Sequence, residues 1–158
     1  MCIRDRTGGE TVIRFFLNLT GTPVGIETIT IAPANGSSIY NSSGTAMSSS
    51  ASIQDAFTDK NGPYITAASI NSDNTQVSVT LSETAYSTNG GSGDLAKEDF
   101  SLSISGGSAS LSSATPTALS KSGDTYTLTF GVSGTASGQE VLTVSPVANS
   151  IYDASGNA

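Results

Sequence analysis

The side chains of this chain that can do chemistry are hydroxyls and carboxylates, and their arrangement sets narrow limits on function. Serine nucleophiles need a nearby base, and the 158 residues contain no His. The many serines therefore read as small polar residues on strand faces. Glu83 and the adjacent pair Glu98 and Asp99 are the carboxylates in which the acid and nucleophile of a glycosidase would be sought. On an extended segment, neighbouring side chains point to opposite faces, so Glu98 and Asp99 are not expected to converge on one bond. The expectation is that the chain is not an enzyme.

Calcium is the sharper chemical reading. Hard cations take clusters of carboxylate, amide and carbonyl oxygens. Three loops supply such groups: Asp59-Lys60-Asn61, Asn71-Ser72-Asp73-Asn74 and Asp153-Ala154-Ser155-Gly156-Asn157. Asp59, Asn61, Asp73, Asp153 and Asn157 are accordingly the candidate Ca²⁺ ligands. The same residue types are also ordinary turn formers, because they tolerate positive φ and cap their own backbone. Sugar stacking would need exposed aromatic platforms. With no Trp, the supply is Tyr64, Tyr86 and Tyr152. A glycan-binding module should present two or more exposed aromatics on one face, whereas a spacer should present Ser, Thr and small residues.

The elements that position these residues are strands. Charged residues make up 12% of the chain and aromatics 6%, with Ser, Thr, Gly and Asn filling the polar positions. That mixture suits short strands and frequent turns. Val77, Val79 and Leu81 alternate with polar residues, as do Phe100, Leu102 and Ile104, then Ala109 and Leu111, then Tyr126, Leu128 and Phe130, then Leu142 and Val144. No long window has helical periodicity, and a single turn near Leu95 to Glu98 is the only helix expected. The net charge of −7, with six basic residues, argues against nucleic acid. No apolar run reaches the roughly 20 residues of a membrane span, so no membrane insertion is expected.

The chain also repeats itself. Thr20 to Pro33 matches Ser133 to Pro146 at a shift of 113 residues, and Ser38 to Ala46 matches Ser150 to Ala158 at a shift of 112. Upstream, Ile13, Phe15, Leu17 and Leu19 fall on Tyr126, Leu128, Phe130 and Val132, which predicts the same strand in both copies. In the first copy, Asn41 and Thr45 stand where the second has Asp153 and Asn157, removing a charge and an amide oxygen from the candidate metal loop. The period suits tandem sandwich domains of about 100 residues.

Met1 to Arg6 matches nothing downstream, contains the single Cys2, and resembles the translated remnant of a sequencing adapter. It is read as a non-native scar, and without it the chain has 4 basic and 12 acidic residues, a net of −8. Residues 7–59 read as the C-terminal half of one repeat and 60–158 as a nearly complete second repeat. The boundary is the linker Thr58 to Pro63, where Gly62 and Pro63 stop strand pairing. Ala46 to Phe57 reads as the closing strand of the first copy. Its counterpart would fall beyond Ala158, which predicts an unpaired edge in 60–158 and self-association.

The runs Asp73 to Glu83, Glu98 to Gly107 and Ser150 to Asn157 resemble the bacterial Ig-like domains of S-layer and adhesin type, which occur in tandem in very large surface proteins. Leu81-Ser82-Glu83 stands where that family often has Phe-Ser-Glu. The resemblance implies an Ig-like antiparallel β-sandwich in tandem, one copy partial and one nearly complete. It further implies an extracellular or bacterial cell-surface location and a structural spacer role beside neighbouring repeats of the same chain, with any glycan or cell-surface ligand met through other domains. It implies no catalytic residues, and it suggests Ca²⁺ at domain junctions. A carbohydrate-binding or Ca-dependent adhesive module is the alternative.

Overall fold

The computed structural model describes residues 12–158, so Cys2 and the segment read as a scar lie outside the described residues. The chain divides into two compact units, 1–60 and 61–158. The described residues are almost entirely strand, turn and loop, with one 3₁₀ turn at Lys97–Asp99. No helix among them is long and apolar enough to cross a membrane.

The second unit is all-β and sandwich-like. Its larger sheet has four antiparallel strands: β3 (Ile65–Ile70), β4 (Gln76–Leu81), β8 (Thr125–Thr129) and β7 (Ala118–Ser122), in the order β3-β4-β8-β7. β4 and β8 pair with Val79 opposite Tyr126 and Val77 opposite Leu128, so the alternation read in the sequence sends both apolar files to one face. The β3–β4 turn is built by Asn71, whose Oδ1 accepts the Thr75 and Gln76 amides at 2.9 Å each, and by Asn74 at φ 55°. The facing strands are β5 (Phe100–Ser105) with β10 (Val141–Pro146), and the short pair β6 (Ser110–Leu111) with β9 (Val132–Ser133).

The core fills the space between these layers. Val77, Val79, Leu81, Tyr126 and Leu128 from the four-stranded sheet meet Phe100 and Leu102 of β5, with Leu95, Phe130 and Ile151 closing the ends. Tyr126 and Leu128 are fully buried. Burying one such leucine stabilises by about 1.5–3 kcal/mol. Leu142 and Val144 of β10 are half-buried and pack against this cluster.

The first unit is built differently. Among its described residues the one strand pair is β1 (Thr28–Ile31) with β2 (Ile53–Ala56), antiparallel over four residue pairs. β2 falls within the stretch read as a closing strand. The strand expected over Ile13 to Leu19 does not form: residues 12–19 are neither strand nor helix, with Ile13, Leu17 and Leu19 exposed by 40%, 46% and 49%. The matched strand β8 lies between β4 and β7, whereas no described strand pairs with residues 12–19. Alternation alone does not hold a strand without hydrogen-bonding partners.

Where the two matched stretches agree is in their turns. The Val24 amide donates to Glu27 Oε2 at 3.0 Å, and the matched Ser137 amide donates to Glu140 Oε2 at 2.9 Å. The Asn41 amide donates to the Thr45 carbonyl at 3.0 Å, and the matched Asp153 amide to the Asn157 carbonyl at 2.9 Å. Matched glycines share their left-handed conformation: Gly21 and Gly134 at φ 88° and 85°, Gly25 and Gly138 at 79° and 83°, Gly44 and Gly156 at 77° and 84°.

Candidate functional site

Glu98 and Asp99, two of the carboxylates considered for catalysis, have local work. Glu98 and Asp99 share the 3₁₀ turn rather than an extended segment, which corrects the sequence expectation. There Glu98 pairs with Lys97 at 2.6 Å, and Asp99 Oδ2 accepts the Ala96 amide at 2.8 Å, closing the turn on itself. The Lys97 ammonium holds the Glu98 carboxyl below its ordinary value.

The candidate calcium ligands are divided between the two units. Asp59 belongs to the first unit, beside Gly25, while Asn61 opens the second. Asp73 is exposed on the β3–β4 turn, with the Ser72 hydroxyl donating to it at 3.4 Å. That turn precedes β4 and Glu83 follows it, so the six-residue strand separates the two ends by about 20 Å. Asp153 and Asn157 do come together. Asp153, 1% exposed, accepts the Asn157 amide on Oδ1 at 2.7 Å and the Asn157 side-chain amide on Oδ2 at 2.6 Å. Glu83, not among the sequence-derived ligands, places a carboxylate oxygen within 4.8 Å of that of Asp153. The Leu81-Ser82-Glu83 segment carried only a family resemblance, and nothing in its spacing announced this proximity.

A more elaborate carboxylate site is Glu140. Its oxygens accept the backbone amides of Ser108 (2.9 Å), Ala109 (3.2 Å), Ser137 (3.2 and 2.9 Å) and Gly138 (3.0 Å), and the Ser137 hydroxyl (3.1 Å). This nest fastens the segment between β5 and β6 to the turn before β10. The amide of Ala109 leads the groups that hold the Glu140 carboxyl at about 2, below its ordinary value of 4.5. With its oxygens so occupied, Glu140 is a structural tie.

The aromatics weighed for sugar stacking differ in exposure. Tyr64 is 58% exposed, whereas Tyr86 and Tyr152 are half-buried and bridged to one another through their backbones. The outward face of the four-stranded sheet carries hydroxyls instead: Ser78 bonds Thr127 at 3.1 Å and Thr80 bonds Thr125 at 3.0 Å across β4 and β8. Comparison with known proteins finds no matching family model, curated protein or solved structure.

Proposed function

We propose that the chain is part of a tandem array of Ig-like sandwich repeats in a large secreted bacterial surface or adhesin protein, where it spaces or extends other domains and performs no catalysis. The observation that carries this reading is the recurrence of the same hydrogen-bonded turns 113 and 112 residues apart. A recurring unit of that length suits a chain of domains laid end to end. The hydroxyl ladder on the broad sheet face favours the spacer over the carbohydrate-binding alternative, since Ser and Thr pairs offer no stacking platform.

Single-molecule pulling of concatenated full chains tests the mechanical role. The second unit should give one cooperative event of roughly 300 Å of released length. Soluble polysaccharides and millimolar Ca²⁺ are then titrated while the melt is followed. A spacer is indifferent to both. Saturable glycan binding overturns the spacer reading in favour of the lectin-like one, and a calcium-dependent rise in melting temperature supports the Ca-dependent adhesive one through Glu83 and Asp153.

A further inference from the structure

The geometry points to an acceptor site for a β-strand in the second unit: the open edge of β10, with the apolar trough between β10 and β3, takes an antiparallel strand of the β2 sequence supplied by a second copy of this chain. This inference rests on the same 113-residue match that carries the proposed repeat array.

β10 pairs with β5 on one side, and no described strand pairs with its other side. The Val147 amide donates to the Asp99 carbonyl at 2.8 Å. Alternation along the strand therefore turns the backbone groups of Val141, Thr143 and Ser145 toward β5 and those of Leu142 and Val144 toward the open side. Pro146 belongs to the open set, where its missing N–H costs no ladder bond. The first unit holds the matched strand with this edge filled. There the Phe57 amide donates to the Glu27 carbonyl at 2.9 Å, and alternation directs Ile29 and Ile31 toward β2. Glu27, Ile29 and Ile31 match Glu140, Leu142 and Val144. The β1–β2 interface is thus the same edge with its occupant in place.

Transferring that register sets Ile53 opposite Val144, Gln54 opposite Thr143 and Asp55 opposite Leu142. Gln54 Nε2 donates to the Thr30 hydroxyl at 2.8 Å, and Thr30 matches Thr143, so this bond carries over. Ile53 would enter a cavity of about 300 Å³ lined by Ile65, Ala68, Ile70, Val77, Leu142 and Val144. A second cavity, of about 280 Å³ beside Pro146, lies where Ala51 would follow. In its own unit β2 is held by four residue pairs, is exposed throughout, and has Ile53 67% exposed. Exchanging that isolated two-stranded pairing for a trough against a packed core favours transfer between copies. The β2 donor and the β10 acceptor are different surfaces, so the contact is head-to-tail and extends to chains of copies or closes as a ring.

The test adds a peptide of residues 50–58 to the full chain and reads amide hydrogen exchange, with oligomeric state against concentration measured in parallel. Leu142 and Val144 should gain protection, while Val141, Thr143 and Ser145, already turned to β5, should not change. An Ile53→Asp peptide should bind at least about tenfold more weakly, because it desolvates a charge in an apolar trough. An Asp55→Val peptide should bind more tightly. In the full chain Ile53→Asp should abolish self-association while leaving the melt of the second unit unchanged, since that side chain lies outside its core. Val144→Pro, which removes an open-edge N–H, should abolish peptide protection. Absence of protection at Leu142 and Val144 in the unsubstituted chain, or protection and association indifferent to Ile53→Asp, overturns the inference.

Discussion

Phe130 and Leu17 occupy matched positions in two stretches of similar sequence, yet Phe130 is 6% exposed and Leu17 46%. Ile151 and Ile39 repeat the contrast at 6% and 36%, although the turns that follow them make the same hydrogen bonds. Short-range geometry travels with short-range sequence, because an Asx side chain and a left-handed glycine fix a turn from within. Burial does not travel in this way. It requires a facing layer, which β5 and its neighbours supply in the second unit and which no described residue supplies in the first.

The largest expected effect exploits that difference. Phe130→Ala should destabilise the second unit by about 3–5 kcal/mol in a denaturant melt, whereas Leu17→Ala should stay within about 0.5 kcal/mol. Comparable costs at both sites would mean that the first unit has a core of its own.

Next come the glycines. Gly107 and Gly123 have nearly equal φ of 58° and 59°, so backbone strain alone would make their alanine variants equivalent, at about 1 kcal/mol each. A Cβ on Gly107, however, meets the Glu140 carboxylate, while one on Gly123 has nothing within 4 Å. Glu140 cannot swing aside without releasing the amides it holds. Gly107→Ala is therefore expected to cost at least about 2 kcal/mol, and equal melts for the two variants would remove Glu140 from the account.

Glu140 itself separates the two units in a third way. Its matched residue Glu27 has only the Val24 amide among the described bonds, against the nest of amides around Glu140. A carboxyl held at about 2 in the fold, against 4.5 ordinarily, contributes stability that is fully present above pH 4.5 and is lost as the pH falls toward 2. The second unit's melting temperature should fall through that window. Glu140→Gln should lower it at neutral pH and flatten the acid slope, and Glu27→Gln should do neither.

The sequence made much of the second unit legible because its strands alternate cleanly and its turns carry Asn, Asp and Gly. Val77, Val79 and Leu81, and Tyr126 and Leu128, lie inward as read. The strand expected at Ile13 to Leu19 misled, since alternation records a preference for a half-buried surface without recording whether that surface exists. The roles of Glu140 and Glu83 were out of reach for another reason. Glu140 binds amides 31 and 32 residues away, and Glu83 lies near a residue 70 positions on, distances that only the folded chain closes. For the candidate metal set, shared residue type grouped Asp73 with Asp153, whereas the length of β4 holds their turns apart.

The smallest effect concerns Tyr126, a buried polar side chain of the second unit. Its hydroxyl is buried and has no hydrogen-bond partner, unlike the paired Ser and Thr hydroxyls on the opposite face of the same sheet. The ring is well used: it lies 5.8 Å from that of Phe100, with the Lys121 ammonium 5.6 Å from its centroid. Tyr126→Phe keeps both contacts and deletes an oxygen whose desolvation nothing offsets. The variant should be more stable by about 1 kcal/mol. Ser78→Ala, which orphans only a partly buried Thr127 hydroxyl, should lose about 0.5 kcal/mol. If Tyr126→Phe instead weakened the fold, the phenol would have to be satisfied within the core, and the contrast between the sheet's two faces would no longer hold.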